Sequence, residues 1–177
     1  MARGLITRSG RILTARLLFG ETIDGITHCA IGDGDATFTS PTQPPEPHID
    51  QTGLRRERAR KRLYKKSYLV EDPTGGLLVN GVRYRETGTP TQIIAFFFRF
   101  EEHEANGITI KEYVFFGGGV TYVAGQAGDY AAGGVYHATS NPTGRVLNPG
   151  TLYELKNIPD FNKTPDTRIE LVGVIKI

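Results

Sequence analysis

IIAFFFRFEEHEANGITIKEYVFFGGG, residues 93–119, is the stretch whose reading decides the fold. It holds six of the nine phenylalanines in two runs. In an extended strand Ile94, Phe96, Phe98 and Phe100 fall on one face, and Ile93, Ala95, Phe97 and Arg99 on the other. Ile108, Ile110, Val114 and Phe116 share a face of a second strand, which Glu112 interrupts. β-branched and aromatic residues suit a pleated surface. The polar segment Glu101 to Gly107 closes in Asn106-Gly107, so the pair is expected to form a long-looped hairpin. The first strand is apolar on both faces, which places it between layers. These eight residues, Ile94, Phe96, Phe98, Phe100, Ile108, Ile110, Val114 and Phe116, are the expected core.

Around this stretch the totals are those of a globular chain. There are 177 residues, 38% hydrophobic and 23% charged, with 22 glycines and 10 prolines. The many turns and β-rich runs predict one mainly β, sandwich-like mixed domain over residues 1–177, with a single N-terminal helix. Cys29 is the lone cysteine, so no intramolecular disulfide and no thiolate metal cluster is expected. No apolar run reaches spanning length, and no membrane partner is expected. Net charge is +2, split as +5 over residues 1–66 and −3 over 67–177. Such asymmetry favours association between copies or with neighbours.

Toward the N-terminus, Thr7 to Phe19 reads as a helix capped by Thr7 or Ser9 and closed by Gly20. Ile6, Ile12, Leu13, Leu17 and Leu18 form a stripe expected to face the core. A strand follows and ends in Gly32-Asp33-Gly34-Asp35, explained by turn chemistry rather than a cation site. Residues 40–52 carry four prolines and predict an extended connector. Then comes the electrostatic feature, Leu54 to Val70. Arg55, Arg56, Arg58, Arg60, Lys61, Arg62, Lys65 and Lys66 accompany one acid, Glu57, with Tyr64 and Tyr68 interleaved. A phosphate-binding surface and a solvated edge strand are both open readings. Subunit contact or a solvated face ranks first, the contact running through Arg55, Arg56, Arg58, Arg60, Arg62, Tyr64, Lys65, Lys66 and Tyr68, and nucleic acid ranks below both.

On the C-terminal side, Asp72 to Gly76 is a turn and Leu77 to Arg85 a hairpin about Asn80-Gly81. Residues 117–147 are glycine-rich, match no phosphate-binding loop, and read as a flexible segment that orders against a partner. Leu152 to Leu155 reads as a short strand. Ile169 to Ile177 alternates as a final strand locked into a sheet. The four histidines lack metal-ligand spacing, and no nucleophile motif is present, so neither cofactor nor catalytic role is expected. A cluster of Glu101, Glu102, His103 and Glu104 reads as a charged loop tip.

The order of these motifs resembles the N-terminal domain of phage tail-collar fibre and baseplate-associated tail proteins. The motifs are the glycine-closed helix Thr7–Gly20 and the strand His28–Gly34 with its GDG turn. A T-x-L-x-x-E-x-x-R segment follows (Thr52, Leu54, Glu57, Arg60). Then come an I-x-E-x-x-x-F-G pattern (Ile110, Glu112, Phe116, Gly117) and Lys163 before the last strand. The family pattern reads E-I-G-L-F where this chain has Glu112-Tyr113-Val114-Phe115-Phe116. The resemblance implies a virion protein, synthesised in the host cytoplasm. It would join a tail fibre to the particle, contact other tail subunits and form a trimer or hexamer. A nucleic-acid module using the basic run is the alternative. Another is a carbohydrate-binding sandwich with Tyr122, Tyr130 and Tyr136 as a stacking platform.

Overall fold

The computed structural model describes residues 4–122, 135–137 and 146–177. Its elements are β1 (Leu5–Ile6), α1 (Arg8–Leu18), β2 (Ile26–Gly32), β3 (Glu57–Arg62), β4 (Lys65–Glu71), β5 (Leu77–Val79) and β6 (Val82–Thr87). They continue as β7 (Ile93–Phe100), β8 (Thr109–Gly117), β9 (Thr121–Tyr122), β10 (Val135–His137), β11 (Val146–Asn148), β12 (Thr151–Asn162) and β13 (Ile169–Lys176). Sheet A runs β1-β12-β8-β2-β3-β10, sheet B runs β13-β7-β4-β6-β5, and β9 pairs with β11 in a ribbon. Every pairing among the described residues is antiparallel. The protein is mainly β, a sandwich approaching a barrel, with one helix near its N-terminus.

Both aromatic runs are strands, but they do not form the expected hairpin. β7 pairs with β13 and β4 in sheet B, and β8 pairs with β12 and β2 in sheet A. The chain crosses between layers as an arch. Pairing in a hairpin would have left both rows of rings on one sheet; the arch sets them face to face. Phe98 stacks on Phe115 with centroids 5.1 Å apart. Gly173 of β13 lies against the same ring, where a Cβ would come within 2.7 Å of Phe115, so only glycine lets the layers close here.

The alternation on β7 holds: Phe98 and Phe100 are fully buried between the sheets. Ile93, Ala95 and Phe97 form a separate cluster with Leu69 and Tyr84 on the outer face, bordered by Leu77, Val79, Val172 and Val174. Sheet B therefore has its own second core. Ile94 and Phe96 are only half buried. On β8 the expected common face divides. Val114 and Phe116 pack with Ala30, Leu152 and Leu155, whereas Ile108 and Ile110 pack with Phe100 and Ala105 beneath the arch.

Two buried charges hold the arch loop. Glu104 accepts the Glu101 N–H at 2.7 Å and pairs with Lys61 of β3. Lys163 donates to Glu102 O, Asn106 Oδ1 and Thr164 O at 2.9–3.1 Å. A loop with its own buried ligands can change layer without exposing unpaired backbone. The chain also changes layer at Leu63-Tyr64, where Leu63 donates to Thr27 O of sheet A and Tyr64 to Phe97 O of sheet B.

Thr7 caps α1 as read, accepting the Gly10 N–H at 3.0 Å, and Gly20 takes φ +89° after its end. Asn80 and Gly81 have φ +51° and +84°, as a tight β5–β6 turn requires. The strand expected at Leu152–Leu155 is longer. β12 runs to Asn162, and a register irregularity between Asn157 and Phe161 absorbs Pro159. The proline connector contains bends at 41–43 and a turn at 49–50, and it is docked. Pro45 O accepts Asn157 Nδ2, Pro41 O accepts the Asp160 N–H, and Arg8 reaches Asp50. Proline supplies acceptors here and no donors, so it suits a strap laid along β12. Of the glycine-rich region, residues 123–134 and 138–145 lie outside the described residues; 117–122 join sheet A and the ribbon, and β10 adds a strand beside β3.

β13 runs its full length along β7. Deleting Gly173–Ile177 removes the end of that ladder and the contacts of Val174 and Ile175. The expected result is a lower melting temperature; a truncated chain melting with the parent would refute it.

Candidate assembly surface

The helix stripe read as core-facing is mostly outside. Leu13 is fully buried, but Leu18 and Phe19 are 78% and 87% exposed, and Ile12 and Leu17 are also exposed. α1 turns only one line of residues onto β12, because a short helix on a sheet edge offers a narrow contact. Leu17 and Leu18 border a groove of about 340 Å³ between α1 and the open side of the sandwich. Leu17, Ile26, Phe96, Tyr153, Ile175 and Ile177 line it, with Lys66 at its rim. Tyr68 continues the rim beside Ile94 and Phe96. An apolar patch of this kind marks a contact surface.

The basic run behaves differently from its sequence. It faces not one acid but several, drawn from distant segments. Arg56 forms a fork on Asp33 at 2.6 and 2.9 Å, and Arg58 stands 3.6 Å from the same carboxylate. Arg55 is 3.9 Å from Asp35, and Lys65 bonds Glu86. Tyr64 donates to Glu170 at 2.8 Å, and Arg99 stacks over its ring at 4.5 Å. Arg60 and Lys61 are not surface residues at all: they are 1% and 6% exposed. Their long apolar stems serve a buried strand because Glu57 and Glu104 meet their charges. Arg60 drops out of the expected contact set, since it cannot touch a neighbour. Among the described residues, Arg62 and Lys66 are left without a carboxylate partner. So the segment fastens the fold, and its free charge is small.

Some of the residues that carry the resemblance meet at two buried points. Glu112, fully buried in β8, accepts the N–H groups of Arg55 and Arg56 at 3.1 Å each. Burial raises its carboxyl above the ordinary range, opposed by those N–H groups and that of Gly34. Its carboxylate thus ties the GDG turn and the start of the basic run to the middle of sheet A. Arg60 donates to both carboxylate oxygens of Glu57 at 2.7 and 2.8 Å and to Pro149 O at 2.8 Å, and lies 4.0 Å over the Phe116 ring. Lys163 pins the arch. Sequence reading saw Glu112 as an interruption; a carboxylate inside an apolar strand face was the available signal that it answers something buried.

His28, 1% exposed, lies 5.7 Å from the Tyr122 ring and bonds Thr27 Oγ1 through Nδ1. Burial, then the nearby charges of Arg60 and Arg62, pull it from 6.5 to about 3. The unfolded chain takes up this proton near pH 6.5 and the folded chain refuses it until about 3. Stability should therefore fall as pH drops through that window, by up to about 1.4 kcal/mol per pH unit. Glu112 acts in the opposite sense, so the comparison is between parent and His28→Gln in urea melts at pH 7 and pH 5. The variant should lose less on acidification; equal losses would refute the assignment.

Cys29 is buried and, as the next residue on β2, lies on the face away from His28. Asp33 is engaged by arginines and Asp35 by Thr37. Of the proposed stacking platform, Tyr130 and the side chain of Tyr136 lie outside the described residues. Among the described residues no helix is long and apolar enough to cross a membrane. The chain matches no protein-family model and no curated protein.

Proposed function

We propose that this chain is a structural subunit of a phage tail or baseplate, an adaptor through which a tail fibre is attached. The supporting observation is the convergence of the resembling motifs. Gly34, Arg55, Arg56 and Glu112 meet at one buried carboxylate, and Glu57, Arg60 and Phe116 at one buried guanidinium. Residues drawn from distant motifs that meet as a polar frame are what a shared domain architecture requires. The role needs shape and adhesion, and the exposed apolar rim of α1 and its groove supply adhesion. Its partners are other tail subunits, the fibre and further copies of itself, in the virion.

The nucleic-acid reading loses support because six of the eight cations in the basic run face carboxylates of the same chain. The test is to purify particles made with and without the gene. The chain should be found by mass spectrometry in particles, and its absence should leave particles lacking fibres. Full fibre occupancy without it would overturn the reading.

A further inference from the structure

β13 is an edge of sheet B, paired among the described residues only with β7. Ile177 donates to Gln92 O, which sets the phase of that ladder. Ile169, Leu171, Gly173 and Ile175 exchange hydrogen bonds with β7, and the N–H and C=O groups of Glu170, Val172, Val174 and Lys176 point away from it. Among the described residues no backbone group meets that row. An eight-residue edge without proline is a template for another strand.

What strand it suits is written in its own residues. From 169 to 177 it reads IELVGVIKI, which has the same apolar pattern in both directions about Gly173. The two charges, Glu170 and Lys176, stand at mirror positions with opposite sign. We propose that β13 pairs antiparallel with β13 of a second copy of this chain, about a twofold axis at Gly173, joining the two sheets B into one. In that register Glu170 faces the second copy's Lys176, Val172 faces its Val174, Leu171 its Ile175, and Ile169 its Ile177. The facing pairs 170/176 and 172/174 are those whose backbone groups point outward, so every one of those groups gains a partner. Leu171 and Ile175 continue the inner face and Val172 and Val174 the outer one, so neither core is inverted across the axis.

Charge extends the match. Glu170 already holds Arg99 at 3.1 Å, and Lys176 holds Glu71 at 2.6 Å. Pairing links them into alternating rows: Arg99, Glu170, the second copy's Lys176 and Glu71. Ile175 and Ile177 also line the apolar groove, so the contact runs into the candidate assembly surface. A twofold contact requires an even copy number, compatible with a hexamer containing twofolds and not with a lone trimer. The inference stands apart from the tail reading, since it concerns the purified chain alone.

The test is sedimentation velocity on the full chain from roughly 1 to 200 µM, the range of a modest interface. The parent should show a concentration-dependent dimer. Glu170→Lys or Lys176→Glu places like charges at both symmetric positions and should weaken dimerisation roughly 5- to 30-fold. The double exchange should restore it. Val174→Pro removes an outward N–H that β7 does not use and should abolish the dimer. Melting curves report folding separately; if Val174→Pro does not fold, the charge exchange decides. A parent that stays monomeric throughout, or a dimer indifferent to the exchange, overturns the proposal.

Discussion

Arg60→Ala should destabilise the protein by about 3–5 kcal/mol, the cost of leaving one member of a buried ion pair alone. Arg60 is 1% exposed, and its guanidinium is shared among Glu57, Pro149 O and the Phe116 ring. Alanine strands the Glu57 carboxylate beside β3 and takes the stem packing with it. Arg60→Lys should recover only part, because an ammonium cannot form the fork on Glu57 and cover the ring at once. Replacing both partners, Arg60→Met with Glu57→Leu, should cost far less than the single change. Urea melts of the parent, Arg60→Met, Glu57→Leu and the double variant make a closed cycle. An Arg60→Ala variant within about 1 kcal/mol of the parent would show that Arg60 is not the stabilising buried partner assigned here.

Phe98→Ala is expected to cost about as much, roughly 3–5 kcal/mol. Its ring is fully buried and stacked on Phe115 at the contact between the layers. Phe96, two residues earlier on the same face, lines the open groove and is half buried. Phe96→Ala should cost about half as much, since less area leaves water. The pair tests the arch directly. Chemical denaturation that finds the two substitutions equal would contradict the burial gradient along β7.

How much of this was legible beforehand differs by level. Period-two alternation located β7, β8 and β13 and told which residues share a face of β7. It could not tell which strand lies beside which, because side-chain alternation records burial and not hydrogen-bond partners. Asn106-Gly107 looked like a hairpin signal; the residues that turn the loop into an arch are Glu104 and Lys163, whose partners lie 43 and 57 positions away. The basic run failed for the same reason. Counting local acids found only Glu57, while Asp33, Glu86 and Glu104 arrive through the fold. On α1 the stripe was real and the burial was not, since amphipathicity cannot distinguish a face that meets the core from one left for something else. The cap at Thr7 and the turn at Asn80-Gly81 were readable because their causes are local.

The three crossings between the two large sheets, at Leu63-Tyr64, through residues 101–108 and between Asn162 and Ile169, have a kinetic consequence. Each interrupts a sheet and hands the next strand to the opposite one, so no contiguous half of the chain contains a finished sheet. β2 must wait for β8, and β7 for β13, each of which lies far downstream in the chain. Such wiring belongs with slow, all-or-none acquisition of structure, on the millisecond-to-second scale rather than microseconds. During synthesis Phe96 and Phe98 would stay without their β13 partners until that strand emerges.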